Sequence, residues 1–585
     1  MKKLIFLIIP FALFVGCKQK ATVISDRLSG DAAFQKLADD YLDGYLAWRP
    51  ESGVYLGFHQ YDGKTSDFSK ASLDKELVRL KNFDQKLNTA DTASFSPKVF
   101  YDFRILHSAI KLEIFGFEDI NAYTKNPMTY ANAVDVSIYV KRNFAPLTER
   151  LKSIIATEKQ VPKLFEDAKT NLNDSLPKPF IETAIQIAQG SADFMNGDLK
   201  VALKDVKDDT MMKAFNIANK NAVNAINGFA TWLQKDKLPK ANNKYAIGEA
   251  NYRKMLLYNE GITLSPEKIL AMGLSELKKE QITFNAAAKT INPNKKPIDV
   301  YHDLQKEHPT AANLIPEARK NLEKIRQFLI DKNIVTMPSE VRVQATETPQ
   351  FARATSTASM DVPGPFETKA TEAYYYITPV DPKWTAQQAE DWLRQFDYYT
   401  TDNITIHEAY PGHYTQFLHL NASSATKIEK IFSSYAYVEG WAHYCEKMMA
   451  DEGYGHNGDT VTAAKYRLAQ SGDALLRLCR LCVSIKTHCQ GMSVDEATKF
   501  LMDNWYQGDK PSRQEALRGT FDPGYLFYTI GKLEILKLRT DYQKQEGANY
   551  SLKKFHNEML DHGMPQIRLL REVMLKDSTK WKDVL

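Results

Sequence analysis

Between Ile406 and Gln416 the chain reads Ile-His-Glu-Ala-Tyr-Pro-Gly-His-Tyr-Thr-Gln, and no other segment limits the local fold so tightly. His407 and His413 stand six residues apart. On a regular helix that is a rotation of about 600°, roughly 120° out of alignment, so the two imidazoles would face different directions. Between them lie Pro411, which cannot donate to the helix ladder and crowds the carbonyl four residues back, and Gly412, which accepts unusual backbone angles. The pair has two readings. Either it breaks the helix and swings His413 back toward His407, or it ends a helix and the two histidines are unrelated.

A second segment bears on that choice. In Tyr437-Val-Glu-Gly-Trp-Ala-His-Tyr-Cys-Glu446, residues Glu439, His443 and Glu446 fall at i, i+4 and i+7, on one face of one helix among aromatic and small neighbours. A solvated charged face would give the same spacing. With such apolar flanks, however, the carboxylates need a cation nearby, because an unpaired buried carboxylate is costly. The 406–416 segment opens like the zinc-protease pattern, in which two histidines share a helical face and the Glu beside the first activates water. A catalytic zinc takes three protein ligands and leaves a fourth position open. His407, His413 and Glu439 meet that count, with Glu446 as the other choice of third ligand. Glu408 is then the general base, and His443 and Glu446 orient ligands or substrate. Ligand type points to one zinc ion, although a His-His-Glu set also suits other divalent ions.

These motifs carry a family resemblance. The chain is similar to the bacterial domain-of-unknown-function family eight-eight-five, whose members resemble zinc metallopeptidases of the gluzincin kind. The residues concerned are His407-Glu408-x-x-Pro411-Gly412-His413-x-x-Gln416 and Glu439-Gly440-Trp441-Ala442-x-Tyr444-x-Glu446. Fainter likenesses are Gly248-Glu249-x-x-Tyr252, the tyrosine-rich run to Pro379, and Pro523-Gly524-x-x-x-Tyr528-x-x-Gly531. The resemblance implies a supporting role for Gln416 around the metal. It also points to His488 as a catalytic residue, although Ser484 and Thr487 stand where the family usually has Asp and Gly, and Tyr414 stands where a further His is common. In the helical zinc peptidases that the chain resembles, a peptide adds to a strand edge, and Ala373–Thr378 is the implied edge. Tyr528 is the candidate donor to the oxyanion formed when water adds to a carbonyl, its other reading being a core tyrosine. Arg518 and Arg539 could clamp a substrate carboxylate, but helical arginines are commonly solvated or paired, and both stay outside the candidate site.

Around these motifs the pattern is mainly α. Helical periodicity runs over Phe34–Tyr45, Leu147–Asn171, Ala214–Leu233, Pro266–Asn285, Ala311–Asp331 and Tyr525–Tyr542. Three segments read as extended: Glu340–Thr346, the region about Asp361–Pro365, and Ala373–Thr378. The expected architecture is a large two-lobed helical, metallopeptidase-like fold with a central cleft and a small antiparallel sheet inserted before the metal-binding helices. Residues 30–335 form the N-terminal lobe, and residues 336–585 the sheet and C-terminal lobe. Lys2, Lys3 and an apolar run from Leu4 to Val15 read as a signal peptide over residues 1–16, since a membrane helix takes about 20 apolar residues. Phe14-Val15-Gly16-Cys17 resembles a lipobox, which makes Cys17 a lipidation site and residues 17–29 a tether. Lys18, in place of an Asp, favours the outer membrane. A net charge of +4 over 585 residues excludes a polyanion-binding surface as the leading feature, so neither nucleic acid nor membrane is an expected partner beyond the lipid anchor. Cys482 and Cys489 share an apolar helical face with Leu475, Leu478 and Ile485, which favours core thiols over a second zinc cluster. The leading expectation is a lipid-anchored zinc metallopeptidase acting on short peptides as an exopeptidase or oligopeptidase. A non-catalytic ligand-binding lipoprotein and a zinc hydrolase of another amide or acyl bond remain open.

Overall fold

The computed structural model describes residues 27–349, 353 and 356–585. Cys17 and the expected signal peptide lie outside the described residues. The helical pattern is realised along the chain. The first long helix covers Asp31–Trp48, and the expected span Leu147–Asn171 is helix α1 over the same residues. Its buried Leu151, Ile154, Val161, Leu164 and Phe165 recur every three to four positions. They pack against α3 (Asp209–Trp232), which packs in turn against α2 (Lys178–Asn196), and Ala184, Ala188, Ala218 and Ala222 lie buried in the shared core. Helix α3 begins five residues ahead of the sequence expectation because Asp208 caps it, accepting from the Met211 N–H. Helices α4 (Pro266–Ile291) and α5 (Leu314–Asp331) complete the chain ahead of the sheet.

The sheet has three strands, β1 (Val343–Glu347), β2 (Ala358–Asp361) and β3 (Ala373–Ile377), in the order β1-β3-β2. It is mixed, where the sequence led us to expect antiparallel pairing throughout. Strand β2 runs antiparallel to β3, with Met360 opposite Tyr375, whereas β1 runs parallel to it, with Ala345 opposite Tyr375. The cause is topological, since the chain passes through β2 before β3 fills the gap between the first two strands. Strand β3 is therefore central, and Ala373–Thr378 is not the open edge that the sequence reading assigned. The edge positions belong to β1 and β2. On β1 the Val343 N–H donates to the Tyr410 hydroxyl at 3.2 Å, and the Ala345 carbonyl accepts from Arg319 at 3.0 Å.

The C-terminal half supplies α6 (Tyr398–Glu408), α7 (His413–Ala422), α8 (Tyr435–Asp451), α9 (Thr460–Gln490), α10 (Asp509–Phe521) and α11 (Phe527–Glu546). Packing does not change at residue 335, where the sequence suggested a boundary. Leu277 and Phe284 of α4 share a core with Leu475, Cys479 and Val483 of α9. Leu322 and Ile325 of α5 share another with β1, β3 and Trp441. The core built largely from residues 54–245 is the more self-contained one. Cys445, Cys479 and Cys482 are buried and unpaired, as core thiols. Among the described residues no helix is long and apolar enough to cross a membrane.

Candidate metal centre

Helix α6 starts at Asp397, whose carboxylate accepts from the Tyr399 and Thr400 N–H groups. It is then held from the side. Asp402 accepts from Tyr454, Tyr466 and Lys324, and Asn403 donates to Asp473 on α9. His407 lies in its last turn. After Glu408 the ladder gives way: the Ala409 and Tyr410 N–H groups both reach Thr405 O, and Gly412 N–H reaches back to Ile406 O. Gly412 passes so close to the preceding turn that a β-carbon there would overlap the His407 carbonyl oxygen, which is why glycine occupies the position. Trp441 of α8 holds the bend by donating its indole N–H to Pro411 O at 2.9 Å. Helix α7 then opens with His413, and the two imidazoles meet with ring centroids 4.9 Å apart at 87°.

Glu439, on the second turn of α8, closes the group. Its Oε2 lies 3.5 Å from His407 Nε2 and 3.6 Å from His413 Nε2. One ligand atom from each residue lies within 4.8 Å of the others, and no other such His/Cys/Asp/Glu group occurs among the described residues. The carboxylate oxygen is buried and has no hydrogen-bond partner, although two ring nitrogens lie beside it. Such spacing suits ligands around a common cation. Two donors bound tetrahedrally to zinc at about 2.0–2.1 Å sit roughly 3.4 Å apart. Burial opposes the charge of Glu439, yet the flanking His407 and His413 override it and hold its carboxyl well below the usual range.

Behind His407 stands Glu446. Its Oε1 accepts from His407 Nδ1 at 2.7 Å, and its Oε2 from His443 Nδ1 at 3.0 Å. Glu446 therefore meets the far side of the His407 ring, whereas Glu439 meets the Nε2 side. Arg477 lies 3.6 Å from Glu446, and Lys532 lies 3.3 Å from His443 Nε2. Burial, and then the Lys532 charge, push the His443 imidazole down to about 3, which keeps that ring neutral. Tyr528 joins from α11. Its ring stacks on His407 with centroids 6.4 Å apart at 19°, and Arg480 covers it with Cζ 5.2 Å from its centroid. What brings α11 so near is a crossing of two glycines: a β-carbon on Gly440 would meet the Gly531 backbone, and one on Gly531 would overlap Ala436 O. Glu408 is half-buried beside His407.

Other candidates fall elsewhere. Gln416, one turn beyond His413, donates weakly to Tyr437 O at 3.5 Å and keeps a buried, unpartnered Oε1. His488 is not brought to the group. It lies eleven residues beyond Arg477 on α9, about 16 Å along the helix. Its Nε2–H donates to Gly519 O at 2.7 Å and its Nδ1 accepts from the Ile247 N–H at 3.3 Å, so both ring nitrogens are committed to backbone. Burial pushes this imidazole down to about 4. Arg539 is paired with Tyr444, Tyr550 and Glu452. Sequence reasoning missed Arg477, Arg480 and Lys532. The signal available for the first two was a pair of arginines three apart in a long helix that carries other charges too, too common a pattern to single out.

The chain is similar to known proteins in fold and family. A structure assigned provisionally as a lipoprotein of unknown function from Shewanella oneidensis superposes with a TM-score of 0.76 at 25% identity, covering 93% of this chain and all of its own. A second, described provisionally as a lipoprotein from Colwellia psychrerythraea, gives 0.76 at 17% identity over 95% of this chain and all of its own, which bears on the fold alone. None of the curated proteins matches the chain. The model of the family described as "Bacterial protein of unknown function (DUF885)" matches residues 50–574, and the chain belongs to that family.

Proposed function

We propose that this protein is an exported, lipid-anchored zinc hydrolase of peptide bonds in short peptides. The observation that carries the reading is the buried Glu439 oxygen, unbonded at 3.5 and 3.6 Å from two imidazole nitrogens. His407, His413 and Glu439 would hold the ion, which when bound supplies a Lewis acid and lowers the pKa of water. Glu408, adjacent to a ligand and half-buried, takes the proton of the attacking water and returns it to the leaving amine. Tyr528 donates its phenolic O–H to the oxyanion; its ring, held between His407 and Arg480, is fixed before substrate arrives. Glu446 fixes the His407 tautomer so that the Nε2 lone pair faces Glu439. Export and anchoring rest on the apolar N-terminus and Gly16-Cys17, in keeping with the lipoprotein description of the Shewanella relative.

The test is Glu408→Gln. The variant should keep its zinc by elemental analysis while hydrolysis of a mixed peptide library falls about 100-fold or more. Zinc retained with no cleavage by the unaltered protein would reject the peptidase reading in favour of a ligand-binding lipoprotein or a hydrolase of another bond.

A further inference from the structure

One cation beside the candidate centre has a geometry that the chemistry above does not use. Arg518 of α10 directs Nε and Nη2 to a single oxygen, Asp522 Oδ2, at 3.0 and 2.9 Å. Its Nη2 also lies 3.4 Å from the Tyr435 hydroxyl. The Tyr435 and Tyr528 rings are themselves in contact, with centroids 5.8 Å apart. Two phenols and a guanidinium thus share one small region, and the Arg518 side chain is one-third exposed. Arg480 nearby is a contrast. Its Nε and Nη2 each take a separate oxygen of Glu515 at 2.8 Å, and its side chain is 9% exposed, so its charge is fully matched inside the protein. Asp522 instead orients Arg518 along one edge of its fork and leaves the other edge for a second carboxylate.

We propose that Arg518 and Tyr435 form a subsite for the C-terminal carboxylate of a peptide, which makes this protein a carboxypeptidase. The inference rests on the peptidase reading. The reach fits: Tyr435 and Glu439 are four residues apart on α8, one helical turn or about 6 Å along the axis. An extended peptide advances 3.3–3.6 Å per residue, so a chain end on Tyr435 and Arg518 brings to Glu439 a bond about one or two residues from the terminus. The expected products are single amino acids or dipeptides released from the C-terminal end.

The experiment compares two N-acetylated pentapeptide libraries, alike except that one ends in free carboxylates and the other in amides, with the zinc-loaded full chain and products read by mass spectrometry. The free acids should be cleaved about tenfold or more faster than the amides, near the C-terminus, since a hydrogen-bonded charge contributes on that scale. In Arg518→Gln the acid-to-amide ratio should fall toward one, and Arg518→Lys, with charge but no fork, should lie between. Circular dichroism melts report whether either variant folds, while the acid-to-amide comparison in the unaltered protein needs no variant. Equal cleavage of the two libraries, or cleavage scattered along the chain, overturns the carboxylate subsite and leaves the peptidase reading intact. No cleavage of either library overturns the carboxylate subsite, and no cleavage of the same peptides with free N-termini overturns the peptidase reading as well.

Discussion

Spacing alone left Glu446 either a third ligand or a residue that orients one. Glu439 and Glu446 lie seven residues apart on one face of α8, and periodicity treats them alike. The difference arises at the His407 ring, where one carboxylate meets Nε2 and the other Nδ1. Full burial opposes the charge of Glu446, but Arg477 and His443 outweigh it and hold the carboxyl well below its ordinary range. An ionised Glu446 accepting from Nδ1 makes His407 a better donor at Nε2. In Glu446→Gln the charge is lost and the size kept, so zinc affinity should fall about 10- to 100-fold, measured by competition with a chromophoric chelator. Unaltered affinity would mean that Glu446 serves packing alone. His488 shows the opposite limit of reading by residue. A histidine at a family position looked chemical, yet two backbone groups 241 and 31 residues away in sequence take up both its nitrogens.

Among the secondary-structure elements, the decisive features are two close approaches of backbone, and the sequence disclosed one of them. Pro411-Gly412 sits between the histidines, and its disruption of the helix ladder is local, so the bend was legible before any fold was known. The Gly440–Gly531 crossing was not, because a glycine within a helix does not say which partner it will face. Strand order was hidden for the same reason: the tyrosine-rich strand could be recognised by composition, but only the paired structure puts it between β1 and β2. The bend yields a sharp expectation. In Gly412→Ala the new methyl group cannot coexist with His407 O, so the 407–413 turn must open and separate the imidazoles. Bound zinc, determined by elemental analysis, should fall well below one per chain, while thermal unfolding shows a loss of about 1–3 kcal/mol in a protein that still folds. A variant that keeps full zinc occupancy would show that the turn tolerates a side chain and that the tight bend is not what unites the two rings.

For the whole molecule, the helical character was legible, but not how elements on either side of residue 335 share their cores. The apolar face of α4 is as regular as that of any surface helix, and nothing in its residues points to α9, about 200 positions later. Yet Leu277, Phe284 and Ala288 of α4, with Val300, Tyr301 and Leu304, lie buried in one cluster with Leu468, Leu475, Cys479 and Val483. Gly273 comes against Leu481 in the same contact. Helix α9 also carries Arg477, which lies 3.6 Å from Glu446 Oε1, the oxygen that accepts from His407. Fully burying a Leu or Phe side chain contributes about 1.5–3 kcal/mol, and an entire protein is stable by only about 5–15 kcal/mol. Removing the first half would uncover several such side chains on α9 alone, enough to consume that margin. Residues 336–585 expressed alone should therefore show no cooperative melting and bind no zinc, despite containing every candidate ligand. Co-expression with residues 27–335 should restore both, as read by differential scanning calorimetry and elemental analysis of the co-purified halves. A C-terminal half that melts cooperatively and takes up one zinc by itself would show that α9 needs no cover from α4, and that the centre is built by its own half.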